Sequence, residues 1–134
     1  MNAKAHGWEI DEAVKEKSEE LVAKAIEAAK EISDKLDSRD KDFAKSQVRN
    51  LMVVLDREQS LGPVRLWMKY QEARRVAGWD KARPAIERLL DHAQLLAKDF
   101  GPAGARATAR TSVGFLIQAL QFATYAKQQA GRQS

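Results

Sequence analysis

The apolar residues of this chain recur at intervals of three and four, the period that places them on one face of an α-helix. In the first such segment, residues 10–36, the inward positions form a narrow, Ala-rich stripe with few large side chains: Val14, Ser18, Leu21, Ala25, Ala28 and Ile32. The other positions of this helix are highly charged. We therefore expect it to pack closely against a neighbouring helix or to pair with another chain.

Polar and turn-forming residues divide the rest of the chain into four more helical segments. The sequence Asp-Ser-Arg-Asp at 37–40 ends the first helix and offers N-caps for the second. Pro63 belongs to the first turn of the third helix, where its missing N–H leaves no hydrogen bond unmade. Asp80 is the expected N-cap of the fourth helix, with Pro84 in its opening turn.

The fifth helix follows the stop signal Phe100-Gly101-Pro102; it is predicted to begin between residues 103 and 111 and to fray near Gly131. No segment alternates as a strand does. Short connections favour antiparallel neighbours, and 134 residues are enough for one domain. The prediction is an all-α, compact bundle of about five helices, a single domain over residues 1–134 with a charged N-terminal helix at 10–36.

Charge is distributed unevenly along the chain, whose net charge is +4. Residues 1–40 hold 7 Lys/Arg and 11 Asp/Glu, a balance of −4, whereas residues 41–134 hold 16 and 8, a balance of +8. No acidic residue follows Asp99. Such a division of charge is typical of a protein whose basic part faces a polyanion and whose acidic helix lies at one end.

Several function classes are disfavoured by composition. The chain has no cysteine, so disulfides, thiolate catalysis and cysteine-ligated zinc are excluded. It contains no apolar run of membrane-spanning length, and its first ten residues lack the basic start and apolar stretch of a signal peptide. We expect a cytoplasmic protein that has no membrane partner.

Residues for catalysis do not assemble into a recognisable constellation. His92 follows Asp91 on the fourth helix without the spacing of a metal motif. Glu87 and Asp91 are four residues apart and are interpreted as a solvated acidic pair. Gly101-Pro102-Ala103-Gly104 is a helix stop, not a phosphate-binding loop. The expectation is a protein that is not an enzyme and that uses no metal or cofactor.

Basic residues recur at helical spacing on three of the helices. On the second helix Lys41, Lys45 and Arg49 are spaced by four and therefore share one face. A row of such cations can follow phosphates without reading bases, and arginine can grip one phosphate with two hydrogen bonds. The candidate nucleic-acid contacts are Lys41, Lys45, Gln47, Arg49, Arg65, Lys69, Arg74, Arg75, Arg106 and Arg110.

Two alternatives accompany this interpretation. The basic rows can be ordinary solvated faces paired with carboxylates such as Asp42, Asp56 and Glu72. The aromatic side chains can stack on bases, but at helical spacing they are more typical of core residues. This applies to the phenylalanines and to Trp67, Tyr70, Trp79 and Tyr125, with Tyr70 suited to a core edge.

Three sequence blocks resemble the small subunit of type III-A CRISPR effector complexes, the helical small subunit of the Csm-type complex. KSQVRNL at 45–51 is similar to a Ser/Thr-Gln-Ile-Arg block that opens a helix. LWMKYQEARR at 66–75 resembles the family's Leu-x-x-Lys-x-x-Tyr-x-x-x-Arg region, with altered spacing around the lysine and tyrosine. FLIQALQFATYAK at 115–127 is similar to the family's closing helix, although Leu120 occupies its glutamate position.

The resemblance implies a non-catalytic role. Such subunits stack in several copies along a ribonucleoprotein and use basic residues on the backbone of a guide RNA–target RNA duplex, while other subunits cleave. The matched positions favoured for RNA are Lys45, Gln47, Arg49, Lys69, Arg74 and Arg75. Tyr125 and Lys127 match the last block and suit packing or subunit contact. The alternatives are a helical scaffold or adaptor that binds protein only, and a small regulatory DNA-binding bundle.

Overall fold

The computed structural model describes residues 7–40 and 42–133, and within them it contains six α-helices and no strand. The predicted all-α fold is confirmed. The helices are α1 (Gly7–Glu16), α2 (Ser18–Lys35), α3 (Val48–Arg57), α4 (Leu61–Ala73), α5 (Trp79–Leu96) and α6 (Gly101–Gln133).

The first predicted helix is divided in two at Lys17. There ψ is 8°, and the Lys17 N–H is shared between the carbonyls of Ala13 and Val14 at 3.3 and 3.2 Å. A shared bond of this kind tightens one turn, as at a helix end. This break explains why six helices are present where about five were expected.

The alanine-rich stripe packs inside the chain. Leu21, Ala25, Ala28 and Ile32 are buried, and α2 packs mainly against α6 and α5. Small side chains allow helix axes to approach closely, so the shared surface is extensive although few residues are large. Of the two expectations for this stripe, packing against neighbouring helices is the one that the structure shows.

The segment 37–47 connects α2 to α3 through a 3-10 turn, Ser38–Asp40, and a π-helical turn, Phe43–Gln47. The Asp37 side chain accepts the Arg39 N–H at 2.9 Å, so it caps the 3-10 turn. No side chain caps α3 itself. The polar stretch therefore ends the first helix as predicted, but the cap that it supplies belongs to the short turn.

The start of α5 corrects the sequence prediction, because Gly78 is the N-cap and Asp80 lies inside the helix. Gly78 has φ +94°, and a Cβ there would lie 2.5 Å from the ring of Phe43. Glycine is required on both grounds. With the helix starting at Trp79, Pro84 is its sixth residue and lies beyond the opening turn, whereas Pro63 is in the first turn of α4 as predicted.

The last helix is longer than the sequence indicated. It begins at Gly101, where φ is +70°, and continues through Gly131 to Gln133. At 1.5 Å per residue its 33 residues extend about 50 Å. Pro102 is tolerated because its missing N–H falls in the first turn.

The α6 helix is the centre of the bundle. Arg110 pairs with Asp56, and Arg106 donates to the Leu55 carbonyl at 3.3 Å, so the C-terminal end of α3 lies beside the first half of α6. The two helices are antiparallel. The inner face of α6 includes Val113, Leu116 and Leu120, all fully buried in the common core.

Aromatic residues follow the core expectation only in part. Trp79 is fully buried between Phe43 and Trp67, with edge-to-face ring centroids 5.1 and 5.3 Å away. Tyr70, Tyr125 and Phe122 are exposed, at 56, 58 and 71% respectively. For Tyr125 and Phe122 the core expectation is wrong, and Tyr70, which was expected at a core edge, is more than half exposed.

Candidate nucleic-acid interface

A groove of about 700 Å³ separates the start of α3 from the C-terminal half of α6. Lys45 and Arg49 belong to one wall, one helical turn apart and both exposed. Gln121 and Tyr125, also one turn apart, belong to the other. The remaining lining residues are Asp42, Ala44 and Thr124. Two cations and one carboxylate leave the groove with a net positive charge.

The polar groups of this groove are unused by the fold. In the described part of the chain Lys45, Arg49, Gln121 and Tyr125 form no side-chain hydrogen bond or ion pair. Their cationic, amide and phenol groups are therefore available to a ligand. The structure brings together two of the predicted basic residues, Lys45 and Arg49, with an aromatic ring that sequence reasoning assigned to packing.

Gln121 was missed as a candidate site residue, and Tyr125 was assigned to the core or to packing and subunit contact. The available signal was their spacing: they are four residues apart, off the apolar stripe formed by Leu116 and Leu120. This spacing predicts that they share a face of α6. Only the tertiary fold places that face opposite Lys45 and Arg49.

Arg65 is partly buried, and its guanidinium is already paired with side chains of α5. Its guanidinium donates to Glu87 at 3.0 Å and to Asp91 at 2.7 Å, and the Arg65 and Glu87 side chains are each only 20% exposed. Gln94 accepts a further bond at 3.3 Å. The interpretation of Glu87 and Asp91 as a solvated acidic pair is therefore wrong for Glu87, which is half-buried against Arg65, whereas Asp91 is 66% exposed. Arg65 lies between the two carboxylates and joins α4 to α5.

Arg106 and Arg110 likewise serve the fold, through the Leu55 carbonyl and the Asp56 carboxylate. Gln47 is engaged as well, since its side-chain oxygen accepts the Trp79 indole N–H at 3.0 Å. That bond satisfies a donor on a fully buried residue. Lys41, another of the predicted contacts, lies outside the described residues.

The end of α4 presents a second basic group, formed by Lys69, Arg74 and Arg75. All three are exposed, and none contributes to the lining of the α3–α6 groove. Arg74 lies over the ring of Tyr70, with its guanidinium carbon 5.4 Å from the ring centroid. These residues form a surface of their own.

Arg75 has an unusual backbone, with φ +61°. Its N–H donates to the Glu72 carbonyl at 2.9 Å, and the Val76 N–H donates to the Gln71 carbonyl at 3.1 Å. This pair of bonds is the Schellman ending of a helix, in which glycine normally occupies the left-handed position. An arginine here keeps a strained conformation.

A network of charges joins the α2–α3 connection to α5. The Lys81 ammonium contacts Asp40 at 2.5 Å and Asp37 at 3.0 Å, and Asp40 is only 5% exposed. Hydrogen bonds from Arg39 and then Lys81 hold the pKa of the Asp37 carboxyl well below its usual range. The same contacts with Asp40 and Asp37 raise the pKa of Lys81.

His92 meets a single carboxylate, that of Glu20 at 3.0 Å. Across the described ranges no three His, Asp or Glu side chains are grouped as metal ligands would be. No helix within those ranges has the length and apolarity to cross a membrane.

Comparison with known proteins identifies no relative. No family model, no curated protein and no solved structure matches this chain. What the chain binds has to be inferred from its own residues.

Proposed function

We propose that this chain is a non-catalytic RNA-binding subunit of a type III-A CRISPR ribonucleoprotein in the cytoplasm. The α3–α6 groove binds the backbone of a guide RNA–target RNA duplex, and sequence specificity comes from pairing between the two RNAs. Its partners are these RNAs, the other subunits of the complex and further copies of this chain stacked beside it.

One observation carries the RNA-binding part of the proposal: Lys45 and Arg49 are aligned, exposed and unpaired within the described residues. Other arginines on the same bundle, such as Arg65 and Arg110, have carboxylate partners. Cations without internal partners remain free to neutralise phosphates, and each phosphate contact releases counterions from the nucleic acid.

The assignment to a CRISPR complex is supported by the resemblance of the three sequence blocks. Two of those blocks meet at the groove, since Lys45 and Arg49 belong to residues 45–51 and Tyr125 belongs to residues 115–127. Residues far apart in the chain therefore contribute to one surface. A shared binding role explains why the resemblance is concentrated in these segments.

The proposal is tested by the salt dependence of RNA binding. The double variant Lys45→Ala/Arg49→Ala is compared with the control Lys30→Ala/Lys98→Ala, which removes the same charge from exposed, unpaired positions of the described residues outside the groove. Fluorescence anisotropy measures the dissociation constant for a labelled RNA duplex at several salt concentrations. We expect the slope of log affinity against log salt to fall by about 2 in the groove variant only. Equal slopes in the two variants would refute groove binding.

Affinity of the isolated chain for RNA is expected to be low, because stacked copies supply avidity in the assembly. The titrations are therefore started at low salt. A preference for duplex DNA over duplex RNA supports the regulatory DNA-binding alternative, and absence of binding to either supports the protein adaptor. Co-purification with guide RNA and large effector subunits tests the assembly itself.

A further inference from the structure

Two exposed tyrosines differ in whether their ring faces are occupied. Tyr70 has the Arg74 guanidinium over its ring at 5.4 Å. Tyr125 is 58% exposed, and among the described residues no other ring or cation is stacked on it. Its ring therefore offers an open π-face inside the basic groove.

Phosphate binding does not require the aromatic ring of Tyr125, because only its hydroxyl can donate to a phosphate. Lys45 and Arg49 are sufficient to hold a backbone, because phosphate contacts need only cations and hydrogen-bond donors. Proteins that bind unpaired bases commonly place an aromatic ring beside such cations. The base stacks on the ring, and the cations contact the phosphates of the backbone.

We propose that, beside the paired backbone, the groove binds an unpaired nucleotide of the RNA, with its base stacked on Tyr125 and its phosphates on Lys45 and Arg49. This inference rests on the proposed function of the groove and adds a base contact to the backbone contacts proposed there. In a paired helix both faces of each base are covered by neighbouring base pairs. Against such a helix the Tyr125 ring can contact only the RNA backbone and the edges of the bases.

Gln121 completes the proposed site. It lies one helical turn before Tyr125 and lines the same groove. Its amide has both donors and an acceptor, so it can bond the edge of a stacked base or a ribose 2′-hydroxyl. The volume of about 700 Å³ falls within the range of small-ligand sites, about 300–1,000 Å³.

The test compares Tyr125→Ala and Tyr125→Phe with the wild-type chain on three labelled probes. These are a short single-stranded oligouridylate, an abasic ribose-phosphate strand of the same length, and a blunt RNA duplex. Stacking predicts that Tyr125→Ala weakens binding of the oligouridylate by roughly 5- to 150-fold, while Tyr125→Phe, which keeps the ring, stays within about twofold of wild type. On the abasic strand and the blunt duplex both variants should match wild type.

Three results would overturn the inference: an unchanged affinity of Tyr125→Ala for the oligouridylate, an equal loss on the abasic strand, or an equal loss on the blunt duplex. The Lys45→Ala/Arg49→Ala variant, measured on the same probes, shows whether only base stacking on Tyr125 is refuted or whether RNA binding by the groove is refuted as well. If it reduces the salt slope while Tyr125→Ala changes nothing, the groove binds backbone only. Because Tyr125 is exposed, circular dichroism melts should show that its variants remain folded.

Discussion

Arg75 provides a prediction about stability that is independent of any ligand. Its φ of +61° places an L-residue in the left-handed region, which costs about 1–2 kcal/mol because Cβ approaches the following carbonyl oxygen. Glycine removes that cost but gives the unfolded chain more freedom, worth about 0.4–1 kcal/mol. The difference predicts that Arg75→Gly stabilises the protein by about 0.8 kcal/mol.

The expected change is large enough to measure. Unfolding entropy of about 2.1 cal/mol/K per residue gives about 0.28 kcal/mol/K for a chain of 134 residues. A gain of about 0.8 kcal/mol therefore raises the melting temperature by about 3 °C. Urea titrations followed by tryptophan fluorescence report the same change, because Trp79 is fully buried.

Two controls identify the cause of the change. Arg75→Ala removes the same charge but keeps a Cβ, so its free energy of unfolding should stay within about 0.5 kcal/mol of wild type. Ala73→Gly introduces glycine two residues earlier, at the last residue of α4, where φ is not positive, and should destabilise by no more than about 0.5–1 kcal/mol. If Arg75→Gly proves no more stable than Arg75→Ala, the reasoning from backbone strain is refuted.

Three further predictions concern residues that serve the fold. Arg65→Ala should lower the free energy of unfolding by about 1–2 kcal/mol in urea titrations, because the half-buried Glu87 loses its counter-charge. Gln47→Ala should cost about 1–3 kcal/mol by the same assay, since the buried Trp79 N–H loses its acceptor; an unchanged midpoint would contradict this. The pKa of Asp37 is lower in the folded chain than in the unfolded chain, so its ionised carboxylate stabilises the fold at pH values above the ordinary carboxyl pKa. This stabilisation is lost as the pH falls below about 4. Asp37→Asn should therefore be less stable than wild type near neutral pH, with a difference that shrinks in acid; a constant difference would contradict the assignment.

The helices were largely predictable from the sequence because they depend on local periodicity. The boundaries that were wrong depend on tertiary packing. The α5 helix begins at Trp79 because that ring is held between Phe43 and Trp67, and Gly78 must then adopt its left-handed turn. Asp80 is a good N-cap by composition, but no local pattern reveals that packing favours an earlier start.

The candidate site was predictable only in part, for a similar reason. Arg49 and Arg65 look alike in the sequence, since each is a basic residue on an amphipathic helix. What separates them is the opposite helix: Arg65 faces carboxylates of α5, whereas Arg49 faces Gln121 and Tyr125 of α6. Such pairing across helices follows from the fold and not from spacing within one helix.

The central position of α6 has a consequence for how the protein is made. Ser33 in α2 accepts a hydrogen bond from Lys127, 94 residues later in the chain. At a ribosomal rate of about 5–20 residues per second, α2 is synthesised some 5–20 s before its partner segment of α6. Throughout that interval the stripe from Leu21 to Ile32 lacks its main neighbour. Nascent chains of this protein should therefore depend on chaperones until α6 emerges, and slower growth at low temperature should extend that dependence.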